Sequence, residues 1–290
     1  MKWYQLKEQA AGEKRLLCLW FIYRMFWEQS VRFLVFFITL FAFIGAKEPK
    51  RCSKKYLSII GIKPTFWNSF RHFLAYSNSL VDRMEVFAGK YDSKKIVFDS
   101  EDDKKMMYSD LKNGAFFICS HLGNIDIMRA FLFDEPDKHV NVFLSKEQCK
   151  IFNNFIHRLE VPTNATMHPV EDVSVETSIE IKDKISNGEI VIMAGDRISK
   201  HSTNCRVKFL GHNIQIPLGT FRFAQLMECP IYFVCALNEK NGYRIYLKKF
   251  VGTGKKNEVI EKMQYEYIQF LEKLVKAYPF QFFHFYDFFE

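Results

Sequence analysis

The sequence predicts an α/β protein: a mainly parallel central sheet flanked by helices, preceded by an N-terminal hydrophobic membrane helix. Three observations carry this. From about residue 94 onward, short apolar runs rich in Val, Ile and Phe alternate with longer amphipathic stretches. Residues 16–46 are the most apolar part of the chain and are flanked by basic residues. The chain has 290 residues, 48% hydrophobic and 26% charged, which suits a folded protein with a sizeable core.

Taken in order, the first element is the apolar stretch. Arg24, Glu28 and Arg32 interrupt it at spacings of four and share one helical face. The charge-free part, 33–46, is 14 residues long, against about 20 for a full span. Lys14 and Arg15 precede the stretch, and Lys47, Lys50, Arg51, Lys54 and Lys55 follow it. Positive charge on both sides fits a helix that dips into one leaflet or a tilted span, with a buried core helix as the plain alternative. The expected organisation is a membrane-associated helical segment over 1–60 and an α/β domain over 61–290. Residues 48–85 read as two amphipathic helices broken at Gly61 and Pro64.

Strands are expected at 95–99, 115–120, 140–144, 189–194, 231–237 and 243–250, and a hairpin at 207–216 turning at Gly211-His212-Asn213. Helices are expected at 101–111, after the His121 turn, at 147–159, 173–185, 217–227 and 257–277. Such alternation implies a sheet covered on both faces, with sites at the carboxyl ends of its strands. His121 and Asp196 both fall there.

Composition narrows the function classes. A net charge of +8 attracts nucleic acid, anionic lipid or acidic proteins. No nucleic-acid motif is present, and the basic residues sit mostly beside apolar stretches, which favours a membrane partner and no nucleic acid. The seven cysteines include no CxxC pair and read as reduced thiols. The eight histidines lack metal-ligand spacing, and neither a phosphate loop nor a G-x-S-x-G elbow is present. No metal or organic cofactor is expected.

The chemistry concentrates in His121-Leu122-Gly123-Asn124-Ile125-Asp126, between a buried strand and a helix. A histidine at a strand end with a carboxylate one helical turn on suits a general base and its orienting partner. The plain alternative is a helix-capping histidine with Asp126 favouring the helix dipole. Gly123 permits close approach of the backbone, and the first helical turn offers N–H groups, those near Gly123–Ile125, to an oxyanion. Cys119 shares a strand face with His121 but reads as a small buried residue, and Ser120 points the other way. The second constellation is Gly195-Asp196-Arg197, which enters a polar loop holding Ser199, Lys200, His201 and Arg206. Arg197 suits a phosphate or carboxylate, with Asp196 fixing it or a substrate hydroxyl, and a structural ion pair is equally consistent.

With these residues placed, the chain resembles the bacterial lipid A late acyltransferases (lauroyl and myristoyl transferases) and, more loosely, the glycerolipid acyltransferases. His121 and Asp126 match an H-x4-acid motif, with Asp126 where many lipid A members carry Glu. Ala194-Gly195-Asp196-Arg197 sits at a second acidic turn. Phe209-Leu210-Gly211, Pro217-Leu218-Gly219-Thr220 and Cys229-Pro230-Ile231 are similar to an F-x-G…G…P run. Tyr278-Pro279-Phe280-Gln281-Phe282 resembles the closing P-x-Q-W, with Phe282 in the tryptophan place. The Gly-Asp-Arg turn and the Phe285-Tyr286-Asp287-Phe288 ending are more similar to a divergent branch associated with aryl-polyene or other unusual lipids.

The resemblance implies an acyltransferase at the cytoplasmic face of a bacterial inner membrane. It moves a fatty acyl chain from an acyl carrier protein or coenzyme A thioester to a lipid hydroxyl or amine. His121 and Asp126 would be catalytic, and Gly123, Asn124, Asp196, Arg197, Gly211 and Gly219 would bind substrate. A thioesterase and a non-catalytic lipid-binding membrane protein are the alternatives.

Overall fold

A computed structural model describes residues 13–25, 28–132, 138–159, 163–198 and 203–290. Ser199, Lys200 and His201 of the expected polar loop lie outside the described residues.

A seven-stranded sheet forms the centre, in the order β1-β9-β8-β2-β5-β3-β4. Its strands are β1 (Ile96–Phe98), β2 (Ala115–Cys119), β3 (Val140–Leu144), β4 (Ala165–Pro169), β5 (Ile190–Ala194), β8 (Ile231–Glu239) and β9 (Gly242–Phe250). All neighbours pair in parallel except β8 and β9, which are antiparallel across the turn at Lys240-Asn241. The expected mainly parallel α/β architecture is therefore present. Every residue of β2 is buried, as a strand covered on both faces requires. Phe116 and Ile118 enter the core beneath α9 (Leu218–Leu226) and α10 (Lys256–Ala277). Ala115, Phe117 and Cys119 enter the opposite core, with Met107 and Leu111 of α5 (Glu101–Leu111) and Met128 of α6 (Ile127–Leu132). Helices α7 (Lys146–Leu159) and α8 (Val175–Ser186) complete the connections, and β6 (Asn204–Phe209) with β7 (His212–Pro217) forms the separate hairpin.

The N-terminal apolar stretch folds as α1 (Glu13–Met25) and α2 (Glu28–Gly45), followed by α3 (Lys47–Ile59) and α4 (Phe66–Phe87). The break between α3 and α4 holds Gly61 and Pro64, as expected. Among the described residues no single helix is long and apolar enough to cross a membrane. Helices α2 and α3 reach that length only as a pair bent by 95°.

Helix α2 is two-sided. Val31, Val35, Thr39 and Phe43 are buried at i, i+4 spacing, and Phe43 packs edge-on against Phe70 and Phe73 of α4. Arg32 pairs with the buried Asp82 of α4 at 2.6 Å, and Asp82 also accepts from the Tyr243 hydroxyl on β9. The opposite face exposes Phe33, Phe37, Phe41 and Ile44, continued by Phe66 and Trp67 at the start of α4. Helix α3 buries Tyr56 and Leu57 in the main core, so packing crosses the expected boundary at residue 60.

After α10 the chain returns across the carboxyl ends of the strands. The Phe283 N–H donates to the His121 carbonyl at 3.0 Å. Arg51 of α3 pairs with Asp287 at 2.7 Å, and Lys55 donates to the Phe289 carbonyl at 2.7 Å.

Candidate functional site

The site follows from strand register. Strands β2 and β5 are parallel neighbours with Cys119 opposite Ala194. Two residues beyond each strand end, His121 and Asp196 therefore emerge side by side. Gly123 keeps the His121 turn close to the sheet. Its φ is +78°, and a Cβ there would lie 2.0 Å from the Ala236 carbonyl oxygen of β8, so only glycine fits.

The Asp196 side chain is 1% exposed and accepts three hydrogen bonds. The His121 backbone N–H reaches Oδ2 at 2.6 Å, His121 Nδ1 faces Oδ1 at 2.9 Å, and His284 Nε2 faces Oδ2 at 2.9 Å. Burial alone would raise this carboxyl. The His121 imidazole and hydrogen bonds from both histidines outweigh it and hold Asp196 well below the usual carboxylate range. An ionised carboxylate only accepts, so the nitrogens facing it carry hydrogens. His121 is thereby fixed as the Nδ1–H tautomer when neutral, with a lone pair on Nε2. His284 is fully buried, and burial drives it down to about 3 against the opposing pull of Asp196, so it is neutral. Its Nδ1 then accepts from the Tyr286 hydroxyl at 2.6 Å. A neutral histidine oriented by a buried carboxylate can take a proton at Nε2 and return it.

This corrects the expected dyad. The carboxylate on His121 is Asp196, 75 residues away, and not Asp126. The turn at Gly123 carries Asp126 toward α4, where it pairs with Arg83 Nε at 2.5 Å. Two of the N–H groups expected near Gly123–Ile125 to serve an oxyanion are engaged elsewhere. The Gly123 N–H donates to the Gln281 carbonyl and the Asn124 N–H to the Ala236 carbonyl. Asn124 is buried, its side chain spanning from the Ser79 carbonyl to the Asp126 N–H, so its role is to brace the turn.

Of the remaining expected residues, Arg197 lines the same cavity as His121, donates to the Phe283 carbonyl at 3.1 Å and lies over the Tyr286 ring. Gly219 borders the cavity in the first turn of α9. Gly211 forms the β6–β7 turn at φ +79°, with open space around it, and Arg206 pairs with Glu290 at 2.9 Å. Neither is among the cavity-lining residues. Cys119 and Ser120 border the cavity but are buried, and burial pushes the Cys119 thiol up, which opposes a thiolate role.

The cavity has a volume of about 560 Å³. Its polar lining includes His121, Arg83, Asp126, Arg197, Arg222, Gln148, Asn164 and Glu171. Its apolar lining includes Val140, Val142 and Leu144 of β3, with Met167, Ile192 and Phe152. The His121 side chain is 34% exposed.

His121, Asp196 and His284 also bring one nitrogen or oxygen atom each within 4.8 Å of one another. Their 2.9 Å separations are those of hydrogen bonds. His284 and Arg83 were not among the expected site residues. His284 sits in an aromatic run, and no spacing links it to His121. No known protein family matches the chain, and no curated protein matches it in sequence.

Proposed function

We propose that the protein is an acyltransferase working at a membrane surface, with His121 as general base and Asp196 as its orienting carboxylate. The observation that carries this reading is the His121 imidazole, its Nδ1 held against the buried Asp196 carboxylate, bordering a cavity whose lining is largely apolar. A fatty acyl chain suits that lining, at about 0.8 kcal/mol for each methylene buried. Following the resemblance, the donor is an acyl thioester on acyl carrier protein or coenzyme A, and the acceptor is a lipid hydroxyl or amine at the cytoplasmic face of a bacterial inner membrane.

His121 Nε2 takes the acceptor proton as the acceptor oxygen or nitrogen bonds to the thioester carbonyl carbon. The tetrahedral intermediate collapses, the C–S bond breaks, and the thiolate takes the proton back from His121. Asp196 remains ionised throughout, stabilising the transient imidazolium. The first turn of α9 at Gly219 and Thr220 borders the cavity and offers backbone N–H groups to the oxyanion. Arg197 and Arg222 supply charge for a phosphate of donor or acceptor. The exposed face of α2, beside the lysines of α3, suits a helix lying in the plane of one leaflet, since α4 already covers its other side.

The test is transfer by the detergent-solubilised protein from carrier-protein and coenzyme A thioesters of varied length to a total lipid extract of its host, read by mass spectrometry. A lipid that gains an acyl mass, absent with His121→Ala, is the expected result. Free fatty acid alone identifies a thioesterase. Binding of lipid without chemistry, undisturbed by His121→Ala, identifies a lipid-binding protein.

A further inference from the structure

The Asp196 carboxylate has two histidine partners, and a base–carboxylate pair needs one. His284 comes from the segment after α10, and its ring is 1% exposed. It packs between Phe282, with ring centroids 4.2 Å apart, and Phe288, also at 4.2 Å. Among the described residues its ring nitrogens bond to Asp196 and Tyr286, and a buried polar ring is costly unless such bonds are made. The segment is held from elsewhere too. His72 of α4, itself fully buried, sits 2.8 Å from the Phe282 carbonyl, with Ser53 of α3 on its other nitrogen.

We propose that His284 is a positioning residue for the His121 base: its Nε2–H holds Asp196 Oδ2 so that Oδ1 stays on His121 Nδ1, and the Tyr286 hydroxyl fixes the His284 tautomer in turn. This inference rests on His121 acting as the base. The chain Tyr286–His284–Asp196–His121 makes the C-terminal segment part of the active site.

Without the His284 donor, Asp196 keeps only the two bonds from His121 in a fully buried setting. Burial then favours the protonated carboxyl, which no longer polarises His121. The other groups facing the pair do not replace the donor. Arg197 is engaged with the Phe283 carbonyl, and the Tyr267 hydroxyl on α10 donates to the Cys119 carbonyl. Cys119 and Cys235 are thiols that burial keeps protonated.

The experiment compares the full-length protein with His284→Phe, which keeps an aromatic ring in the stack, and His284→Gln, whose amide keeps a donor near Nε2. Asp196 is followed by 13Cγ NMR titration in detergent, its resonance assigned by loss in Asp196→Asn, and the pH profile of transfer is recorded beside it. In the parent, the resonance stays at the carboxylate position to pH 4. In His284→Phe it titrates at least about one pH unit higher, the worth of one hydrogen bond to a charged group, and the acid limb of kcat moves the same way while KM changes less than threefold. His284→Gln restores most of both. An Asp196 titration unmoved in folded His284→Phe, or His284→Gln as disturbed as His284→Phe, overturns the proposal. The NMR readout requires no transfer activity, so a failure of the acyltransferase reading is seen separately, as absent product with the parent protein.

Discussion

Asparagine at position 196 and at position 126 distinguishes two assignments of the same base. In Asp196→Asn, one carbonyl oxygen and one NH2 group replace two accepting oxygens. Three donors face them, at 2.6, 2.9 and 2.9 Å. The carbonyl can accept two, and the NH2 then opposes an N–H, so one imidazole must change tautomer. If His121 changes, Nε2 carries the hydrogen and cannot accept the acceptor's proton. Where the same substitution is made in a Ser-His-Asp triad, the loss is about 10⁴-fold, so we expect a fall in kcat/KM of about 10³–10⁴. That corresponds to about 4–5.5 kcal/mol of transition-state stabilisation. Stability falls as well, by about 2–4 kcal/mol, since hydrogen bonds to a charged group are replaced by neutral or mismatched ones. Asp126→Asn removes one charge from a pair whose side chains are 19% and 21% exposed and leaves a neutral oxygen of the same shape beside Arg83. Its cost is about 1 kcal/mol, and activity stays within about tenfold of the parent. Initial rates with a single acyl donor, alongside thermal midpoints for both variants, decide the matter. Transfer abolished by Asp126→Asn and retained by Asp196→Asn would refute the pairing argued here and restore the H-x4-D dyad.

The remaining predictions concern the frame around the base. Gly123→Ala places a Cβ 2.0 Å from the Ala236 carbonyl oxygen at a positive φ, so we expect a loss of about 3–5 kcal/mol or failure to fold, read by urea unfolding. Acid should loosen the C-terminal segment. Burial holds His284 down to about 3 and His72 down to about 4 in the folded protein, while the unfolded chain takes up both protons below about 6.5. Their contribution is thus complete above pH 6.5 and is lost as pH falls toward 4, with a slope of about 2–3 kcal/mol per pH unit near pH 5. Urea midpoints from pH 7 to 4.5 measure it, and a flat profile would contradict two neutral buried histidines. Phe33→Ser with Phe41→Ser removes two rings that are 69% and 76% exposed. The thermal midpoint should hardly move, while affinity for anionic vesicles drops at least about 100-fold if those rings enter lipid.

Which parts of this were legible in the sequence follows from what each part needed. Ala115 to Cys119 announced a doubly covered strand because both of its faces are apolar. The end of α3 and the start of α4 are marked by Gly61 and Pro64. Strand β4, Ala-Thr-Met-His-Pro, was not seen, because an edge strand need not be buried on both sides and this one carries His168 and Pro169. Residues 16–46 read as one stretch, and the two-sidedness of α2 depends on α4, whose Asp82 pairs with the Arg32 that interrupts it. His121 was legible as a candidate base from its place at a strand end. Its partner was not, since i to i+5 proximity favours Asp126, and only the in-register pairing of β2 with β5 sets Asp196 beside it. His284 needed a third element, 88 residues beyond Asp196, and nothing local to it marks a site.

The position of the site follows from sheet order more directly than from any motif. From β2 the chain leaves through α6, whose Ile127 and Met128 enter one core, and crosses over β5 to reach β3. From β5 it leaves through the hairpin and α9, whose Phe221 and Ala224 enter the opposite core, and returns across β2 to β8. Adjacent strands thus send their connections to opposite faces and opposite directions, which opens a crevice at their carboxyl ends. His121 and Asp196 are the first titratable residues on either lip of it. A crevice of this kind is open to water unless something covers it, and a buried carboxylate needs cover to hold a histidine firmly. The returning C-terminal segment supplies that cover with Phe282, Phe283 and Phe288, and it brings with them the one polar side chain that bonds the carboxylate it covers. Burial and charge compensation therefore arrive on the same strip of chain. If His121 is the base proposed above, the protein should lose it when that strip is displaced, even with His121 and Asp196 untouched.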